Sequence, residues 1–185
     1  MLLRKPPTND LGAVWRWFEF QRDLNAKELN YSLKSLVAPT GDPPPVHIFQ
    51  SGTTPAEVRD FFAGQNERLE LMVMLEIVVA TEGILRVNFL QRTKRKDDLS
   101  RGFRAVYKQA RQEARLRSGR LKIRLDKDIL EAIAGGGINV SEFRGALKLR
   151  NWLAHGRCWT PKLGHNYTPE EVFDICSDLT RSLGV

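Results

Sequence analysis

The sequence predicts an all-α protein, an up-and-down bundle of about five to six helices formed by a single domain over residues 1–185. Apolar residues recur at helical spacing along most of the chain, and capping signals precede several of these stretches. Alternation of period two is confined to residues 46–49 and 121–125, which are too short for more than a small hairpin or extended connections. The content of 42% hydrophobic and 28% charged residues is typical of a folded globular protein.

A proline-rich loop separates the first two predicted helices. The first helix covers residues 10–36, with or without a break midway. Residues 38–53 contain three consecutive prolines, which remove backbone donors and disfavour helix, so we expect a surface loop there. The Thr-Pro-Ala-Glu sequence at 54–57 predicts a capping box at the start of a second helix that continues to about residue 93, with Gly64 as the expected place for a bend or break.

Four further helices are predicted in the rest of the chain. The third covers residues 99–117 and has a basic side, which suits either a solvated face balanced by neighbouring acids or a track for a phosphate backbone. A short fourth helix covers residues 126–134 and ends at a triple glycine. Capping residues at 139–142 begin a fifth helix that runs to His155, and Thr168 caps the last helix.

Charge and cysteine usage indicate the kind of partner and compartment. The 29 Lys and Arg residues outnumber the 22 Asp and Glu residues, and the formal charge of +7 is compatible with a polyanion such as nucleic acid as partner, although many basic proteins bind none. The two cysteines, Cys158 and Cys176, have no near cysteine partner, and with the three histidines they show no zinc-like clustering, so the sequence predicts neither a metal site nor a cofactor. With no stretch that reads as a signal peptide or as a membrane span, we expect a cytoplasmic protein that does not enter a membrane.

The fifth helix places a charged residue among apolar ones. At about 100° per residue, Arg150 lies within about 60° of an apolar stripe. The stripe consists of Phe143, Ala146, Leu147, Leu153 and Ala154. A guanidinium in that position requires an acidic partner, water or a bound anion. Asn151 and His155, four residues apart, lie at the edge of the stripe on the same flank, so the three polar side chains can converge near the helix end.

These three side chains suit the cleavage of a phosphodiester. A histidine moves a proton near neutral pH, and an arginine stabilises the charge that develops on the phosphorus. In RNA the 2′-hydroxyl supplies the nucleophile. The alternative is structural: Arg150 forms a buried ion pair with an acid such as Glu76 or Glu82, and His155 only ends the helix.

The string Leu149-Arg150-Asn151-Trp152-Leu153-Ala154-His155-Gly156 resembles the signature of the HEPN superfamily, in which a polar residue follows the arginine and a histidine follows further along the same helix. The place of this string in the penultimate helix of an all-helical chain agrees with the resemblance. The segment from Glu82 to Arg86 is similar to the pattern in which an acid and an arginine accompany the site.

The resemblance implies a HEPN-like fold and a metal-independent RNA endonuclease of the kind found in toxin–antitoxin, antiviral and RNA-processing systems. It implies that Arg150, Asn151 and His155 are catalytic, that Glu82 and Arg86 support them, and that two protomers form one composite site. A homodimer, RNA and an antitoxin or other regulatory protein are the partners it suggests. The alternative is a non-catalytic HEPN-like module that binds RNA or nucleotide or mediates protein interactions.

Overall fold

The regular structure is helical wherever the computed structural model describes the chain, namely residues 10–37, 49, 52–117, 119, 121–155 and 165–185. No strand forms among these residues, and 121–124 are extended without pairing. The all-α class is therefore confirmed. Most of the predicted loop at 38–53 lies outside the described residues. The helices are α1 (Leu11–Val37), α2 (Pro55–Arg92), α3 (Asp98–Arg117), α4 (Leu130–Gly135), α5 (Ser141–Ala154) and α6 (Pro169–Ser182), with a π-helical turn at Leu125–Ile129 before α4.

The chain divides into two compact units, and the smaller one comprises Gly12–Val73. It contains most of α1 and the first half of α2, with Phe18, Val58 and Phe62 buried. A hydrogen bond of 2.7 Å from the Asn25 side-chain amide to Asn66 joins the two helices. The expectation of one domain over 1–185 stays a prediction.

Both breaks considered for the first two helices are absent, because α1 and α2 each run without interruption. A glycine inside a helix lowers its stability by only about 1 kcal/mol relative to alanine. The propensity of Gly64 alone is therefore too weak to end a helix of 38 residues.

Among the described residues the larger unit comprises 10–11 and 74–185, and the second half of α2 contacts α3, α5 and the residue that follows α6. The Phe89 ring meets the Phe103 ring of α3 edge to face, with centroids 5.2 Å apart. At the end of α2, the Arg92 guanidinium donates a hydrogen bond of 2.5 Å to the backbone carbonyl of Leu183, which follows α6. Further back on the same helix, Glu82 pairs with Arg150 of α5. These contacts fix where α3, α5 and α6 lie along α2.

The predicted fourth helix begins with a wider turn than expected. The carboxylate of Asp128 accepts a hydrogen bond of 2.6 Å from the backbone N–H of Arg124, and the N–H of Ile129 donates back to the Arg124 carbonyl five residues earlier. This local bonding gives the π-helical turn, and ordinary α-helix begins only at Leu130. The end of α4 is as predicted, because Gly137 adopts a φ of +85°, which favours glycine.

The two predicted capping boxes are confirmed. At the start of α6, the Thr168 hydroxyl accepts a hydrogen bond from the Glu171 N–H at 3.2 Å, and the Glu171 carboxylate accepts one from the Thr168 N–H at 2.9 Å. Thr54 and Glu57 form the same pair of bonds at the start of α2. Reciprocal bonds of this kind satisfy two backbone donors that a helix leaves open at its amino end.

The described helices also bear on membrane insertion. Each of them is either too short or too polar to cross a lipid bilayer.

Replacing Thr168 by alanine tests the capping box of α6. We expect Thr168→Ala to lower the free energy of unfolding by about 1 kcal/mol, since a threonine cap is typically worth that much. Urea denaturation followed by circular dichroism measures the change. Ser182→Ala, at the exposed carboxyl end of the same helix, is the matched control and should change stability by less than about 0.5 kcal/mol. Equal effects of the two substitutions would contradict the assignment.

The same box makes stability depend on pH. The backbone hydrogen bond from Thr168 holds the pKa of the Glu171 carboxyl below its ordinary value, and the bond to His165 adds to the effect. Stability from this carboxylate is therefore present above the unfolded-state pKa and is lost as pH falls through the lowered folded-state pKa. We expect Glu171→Gln to be less stable than wild type at neutral pH, with the difference shrinking in acid. Glu67→Gln replaces an exposed acid, and the difference in stability between this variant and wild type should not shrink as pH falls.

Candidate functional site

Helix α5 carries the motif and is anchored by its apolar side. The side chains of Phe143, Ala146, Leu147 and Leu149 are buried. Before the helix, the Asn139 side-chain oxygen accepts hydrogen bonds from the N–H and hydroxyl of Ser141, at 3.0 and 2.7 Å. This is an Asx turn before the helix; Val140 is the N-cap residue and no side chain caps it, so the capping predicted for 139–142 does not form, and the turn instead sets the point at which the helix starts. The register of every later side chain on α5 follows from it.

Arg150 is tied to two neighbours through all three of its nitrogens. Its Nε donates to Oε1 of Glu82 at 2.7 Å, and its Nη2 contacts the same oxygen. Its Nη1 donates to the side-chain oxygen of Asn151 at 2.8 Å. A guanidinium has five N–H groups. Two of them are therefore unused by the hydrogen bonds that the structure describes for Arg150.

The ion pair explains why a charged residue shares the apolar stripe of α5. Glu82 is 8% exposed, so its carboxylate has left most of its water and needs a cationic partner. Of the two acids that the sequence offered to Arg150, Glu82 is the partner, whereas Glu76 is exposed. The pairing itself belongs to the structural alternative considered above, and it equally serves to hold an arginine in place at a binding site.

Four of the five predicted site residues line one groove. Glu82, Arg86, Arg150 and Asn151 lie in the wall of a hollow of about 500 Å³. Its remaining lining residues come from the segment before α4 and from α5: Lys122, Ile123, Arg124, Leu125, Asp126, Arg144, Leu147 and Lys148. The groove therefore joins α2, α5 and the extended segment 121–124 into one surface.

Six of the lining side chains are cationic and two are carboxylates, so the net charge of the groove is +4 at neutral pH. A concave surface with such an excess of positive charge attracts anions. The density of phosphates along a nucleic acid matches a surface of this kind.

Arg86 links α2 to the extended segment. Its side chain is exposed, and its Nη1 lies 3.5 Å from the carbonyl oxygen of Ile123, to which it donates a hydrogen bond. The segment that sequence patterning offered as a strand thus lies beside α2 as extended chain. It brings Lys122 and Arg124 to the groove.

His155 lies at the carboxyl end of α5, where its backbone N–H donates a hydrogen bond of 3.1 Å to the carbonyl of Asn151. Its side chain is exposed and is not among the described residues that line the groove. The chain immediately beyond it, residues 156–164, is outside the described part. The predictions made for Gly156 and Cys158 therefore concern residues that the structure does not describe.

Sequence reasoning missed the lysines and two of the arginines of the groove. Arg144 and Lys148 are spaced by four residues on α5, and Asn151 follows three residues later, so the three share one face. That spacing was visible in the sequence and could have identified the basic side of the motif helix. Lys122 had no such signal, because its position depends on how an extended segment crosses α2.

Two further described residues with metal or nucleophile chemistry, Cys176 and His165, have structural surroundings that explain them, whereas His47 and Cys158 lie outside the described residues. Burial raises the pKa of the Cys176 thiol to about 12, although a hydrogen bond with Thr81 lowers it in part. His165 lies 3.2 Å from the Glu171 carboxylate at the start of α6. Among the described residues, no cluster of histidine, cysteine and acidic side chains is placed to hold a metal ion.

A double-mutant cycle tests the energetic role of the ion pair. We expect Glu82→Ala and Arg150→Ala, made singly and together, to give a coupling free energy of about 2 kcal/mol, because each single change leaves a poorly hydrated charge without its partner. Urea unfolding of the four proteins measures it.

The control for this cycle is the exposed pair of Arg181 and Asp178 on α6. It should show a coupling below about 0.5 kcal/mol, since water screens it. Additive effects at Glu82 and Arg150 would show that their contact does not stabilise the fold.

Comparison of the chain with models of known protein families, with curated proteins and with solved structures gives no match. The resemblance to the HEPN superfamily therefore stays a prediction, based on the motif residues of α5 and on Glu82 and Arg86 of α2.

Proposed function

We propose that this protein is a metal-independent RNA endonuclease of the HEPN type. The observation that carries the proposal is the position of Arg150 and Asn151 in the wall of a groove with a net charge of +4. Such a groove holds a polyanion against the residue pair that the motif assigns to the scissile phosphate. RNA is the substrate class, because its own 2′-hydroxyl can attack the adjacent phosphorus.

The proposed reaction is an internal transesterification. The 2′-oxygen forms a bond to phosphorus while the bond from phosphorus to the 5′-oxygen of the next nucleotide breaks. The proton of the 2′-hydroxyl passes to a general base, and a general acid protonates the departing 5′-oxygen. The products are a 2′,3′-cyclic phosphate and a 5′-hydroxyl end. His155 supplies the acid or the base.

Arg150 binds and stabilises the scissile phosphate in this scheme. Two of its N–H groups remain for phosphate oxygens after the bonds to Glu82 and Asn151 are counted. Glu82 orients the guanidinium, so the arginine does not have to be ordered when the substrate binds. Asn151 fixes the other edge of the guanidinium through its side-chain oxygen.

A second copy of the chain completes the proposed site. The half of α2 that carries Glu82 and Arg86 also carries exposed apolar side chains, namely Val79, Val87 and Leu90. Exposed apolar residues on a helix that borders a charged groove suit a contact between two copies. A composite site of this kind would bring two copies of the α5 motif together.

The resemblance adds a biological role to this activity. It suggests a toxin or antiviral effector that an antitoxin or other regulatory protein holds in check.

The second candidate is an RNA-binding module of the same fold without turnover. Two observations favour it: Glu82 already neutralises Arg150, and the described groove lining does not include His155. In this version the groove binds RNA and the motif arginine has a structural role. The two candidates differ in a single measurable property, which is cleavage.

Substituting the exposed His155 tests catalysis without disturbing the core. We expect wild-type protein in EDTA to cleave a mixed RNA pool to products with cyclic phosphate ends, and His155→Ala to cleave at least about 100-fold more slowly, because a general acid or base contributes that much. Arg150→Ala should also lose cleavage. Gel analysis with end-group labelling measures both rates and products.

Arg181→Ala, on the exposed side of α6, is the matched control and should cleave as the wild type does. Cleavage by His155→Ala at the wild-type rate would remove the basis of the nuclease proposal. RNA binding by the wild type without any cleavage would leave the binding module in its place.

A further inference from the structure

The cationic side chains of the groove fall into two groups. Arg124 pairs with Asp128 at 3.2 Å, Arg144 pairs with Glu131 at 2.6 Å, and Arg150 pairs with Glu82. The charges of these three arginines are therefore compensated by neighbouring carboxylates. Their positions in the groove are explained by contacts within the fold.

The second group consists of Arg86, Lys122 and Lys148. All three are exposed, and none of them forms an ion pair within the part of the chain that the structure describes. The side-chain contact given for Arg86 is with a backbone carbonyl, that of Ile123. Three uncompensated cations lining one concave surface repel one another, and an anion bound between them removes that repulsion.

The three cations come from three different elements that meet only in the folded chain. Arg86 lies one helical turn beyond Glu82 on α2, Lys148 lies on α5 just before Arg150, and Lys122 lies on the extended segment. They therefore border the place where Arg150 would hold a phosphate. A chain of regularly spaced anions that passes Arg150 would meet them on its way in or out.

We propose that this groove binds the backbone of single-stranded RNA, with Arg86, Lys122 and Lys148 contacting the phosphates that flank the one at Arg150. The inference rests on the proposed function and names the surface that positions its substrate. A single strand is the proposed ligand because a hollow of about 500 Å³ is too small to enclose a duplex, whereas one strand can pass through it with its phosphates against the wall.

The groove continues into a second hollow. This hollow, of about 430 Å³, shares Lys122 and Arg124 with the first and adds Lys127 together with the carboxylates of Glu113 and Asp128. The extended segment 121–124 thus forms a common wall of both. With three cations and two carboxylates, the lining of this second hollow has a net charge of only +1, so the phosphate contacts are expected in the first hollow.

The chemistry of the lining determines what is recognised. No aromatic side chain is among the described residues that line either hollow, so the described lining offers phosphate contacts and no ring on which a base could stack. Contacts with phosphates position a strand without reading its sequence. Binding in the groove is therefore tolerant of sequence and strongly dependent on salt.

The salt dependence of binding tests the proposal. The probe is a labelled uridine oligonucleotide with 2′-O-methyl groups, which cannot be cleaved by attack of its own hydroxyl, titrated in EDTA at several salt concentrations. Each phosphate contact with a single strand contributes about 0.7 to the slope of log K against log salt. We expect the triple variant Arg86→Gln, Lys122→Gln, Lys148→Gln to reduce that slope by about 2.

The turn after α2 offers a matched control of identical charge change. Lys94→Gln, Arg95→Gln and Lys96→Gln also remove two lysines and one arginine, all of them exposed. Because they lie beyond the end of α2, outside both hollows, the control should keep the wild-type slope. A reduction of equal size in both triple variants, or in neither, would overturn the groove proposal.

Cleavage of unmodified RNA separates this proposal from the nuclease itself. If the groove variant shows the expected reduction in slope but the wild type cleaves no RNA, the groove proposal stands and the nuclease proposal is wrong. Cleavage by the wild type, together with an unchanged slope in the groove variant, would retain the nuclease and overturn the groove.

Discussion

The ion pair between Arg150 and Glu82 is the contact on which the candidate site depends. Both groups have lost much of their hydration, so neither is stable in its place without the other. Their bond holds the motif helix α5 against the second half of α2 at a defined height. The position of Asn151, which bonds the same guanidinium, follows from that of Arg150. The ion pair thereby positions the residues of α2 and α5 that form the groove wall.

The other cations of the groove show how a folded protein maintains a basic surface. Arg124 and Arg144 are held by Asp128 and Glu131, so their charge is largely used within the fold. Arg86, Lys122 and Lys148 have no such acid among the residues that the structure describes, and they retain their attraction for anions. The same hollow therefore combines arginines that order its walls with cations that are available to a ligand. This division explains how a surface with a net charge of +4 can be stable within the fold and still bind anions.

Local sequence signals predicted the helices well because their causes are local. The capping boxes at Thr54 and Thr168 require only residues three apart, and both form as predicted. The extent of α1 and α2 also follows from apolar spacing. The errors lie where local preference was weak: Gly64 does not break α2, and a π-helical turn replaces the first turn of the predicted fourth helix.

The sequence by itself determined the helical class, the ends of most described helices, and that Arg150 lies on the apolar side of its helix and needs a partner. Only the tertiary structure decided that the partner is Glu82 and not Glu76, and that Arg86 and Lys122 share a groove with Arg150. Periodicity describes one helix at a time, whereas these pairings depend on which helices pack together and on how far one is shifted along the axis of the other. The place of Lys122 depends further on an extended segment, whose path no periodic pattern records.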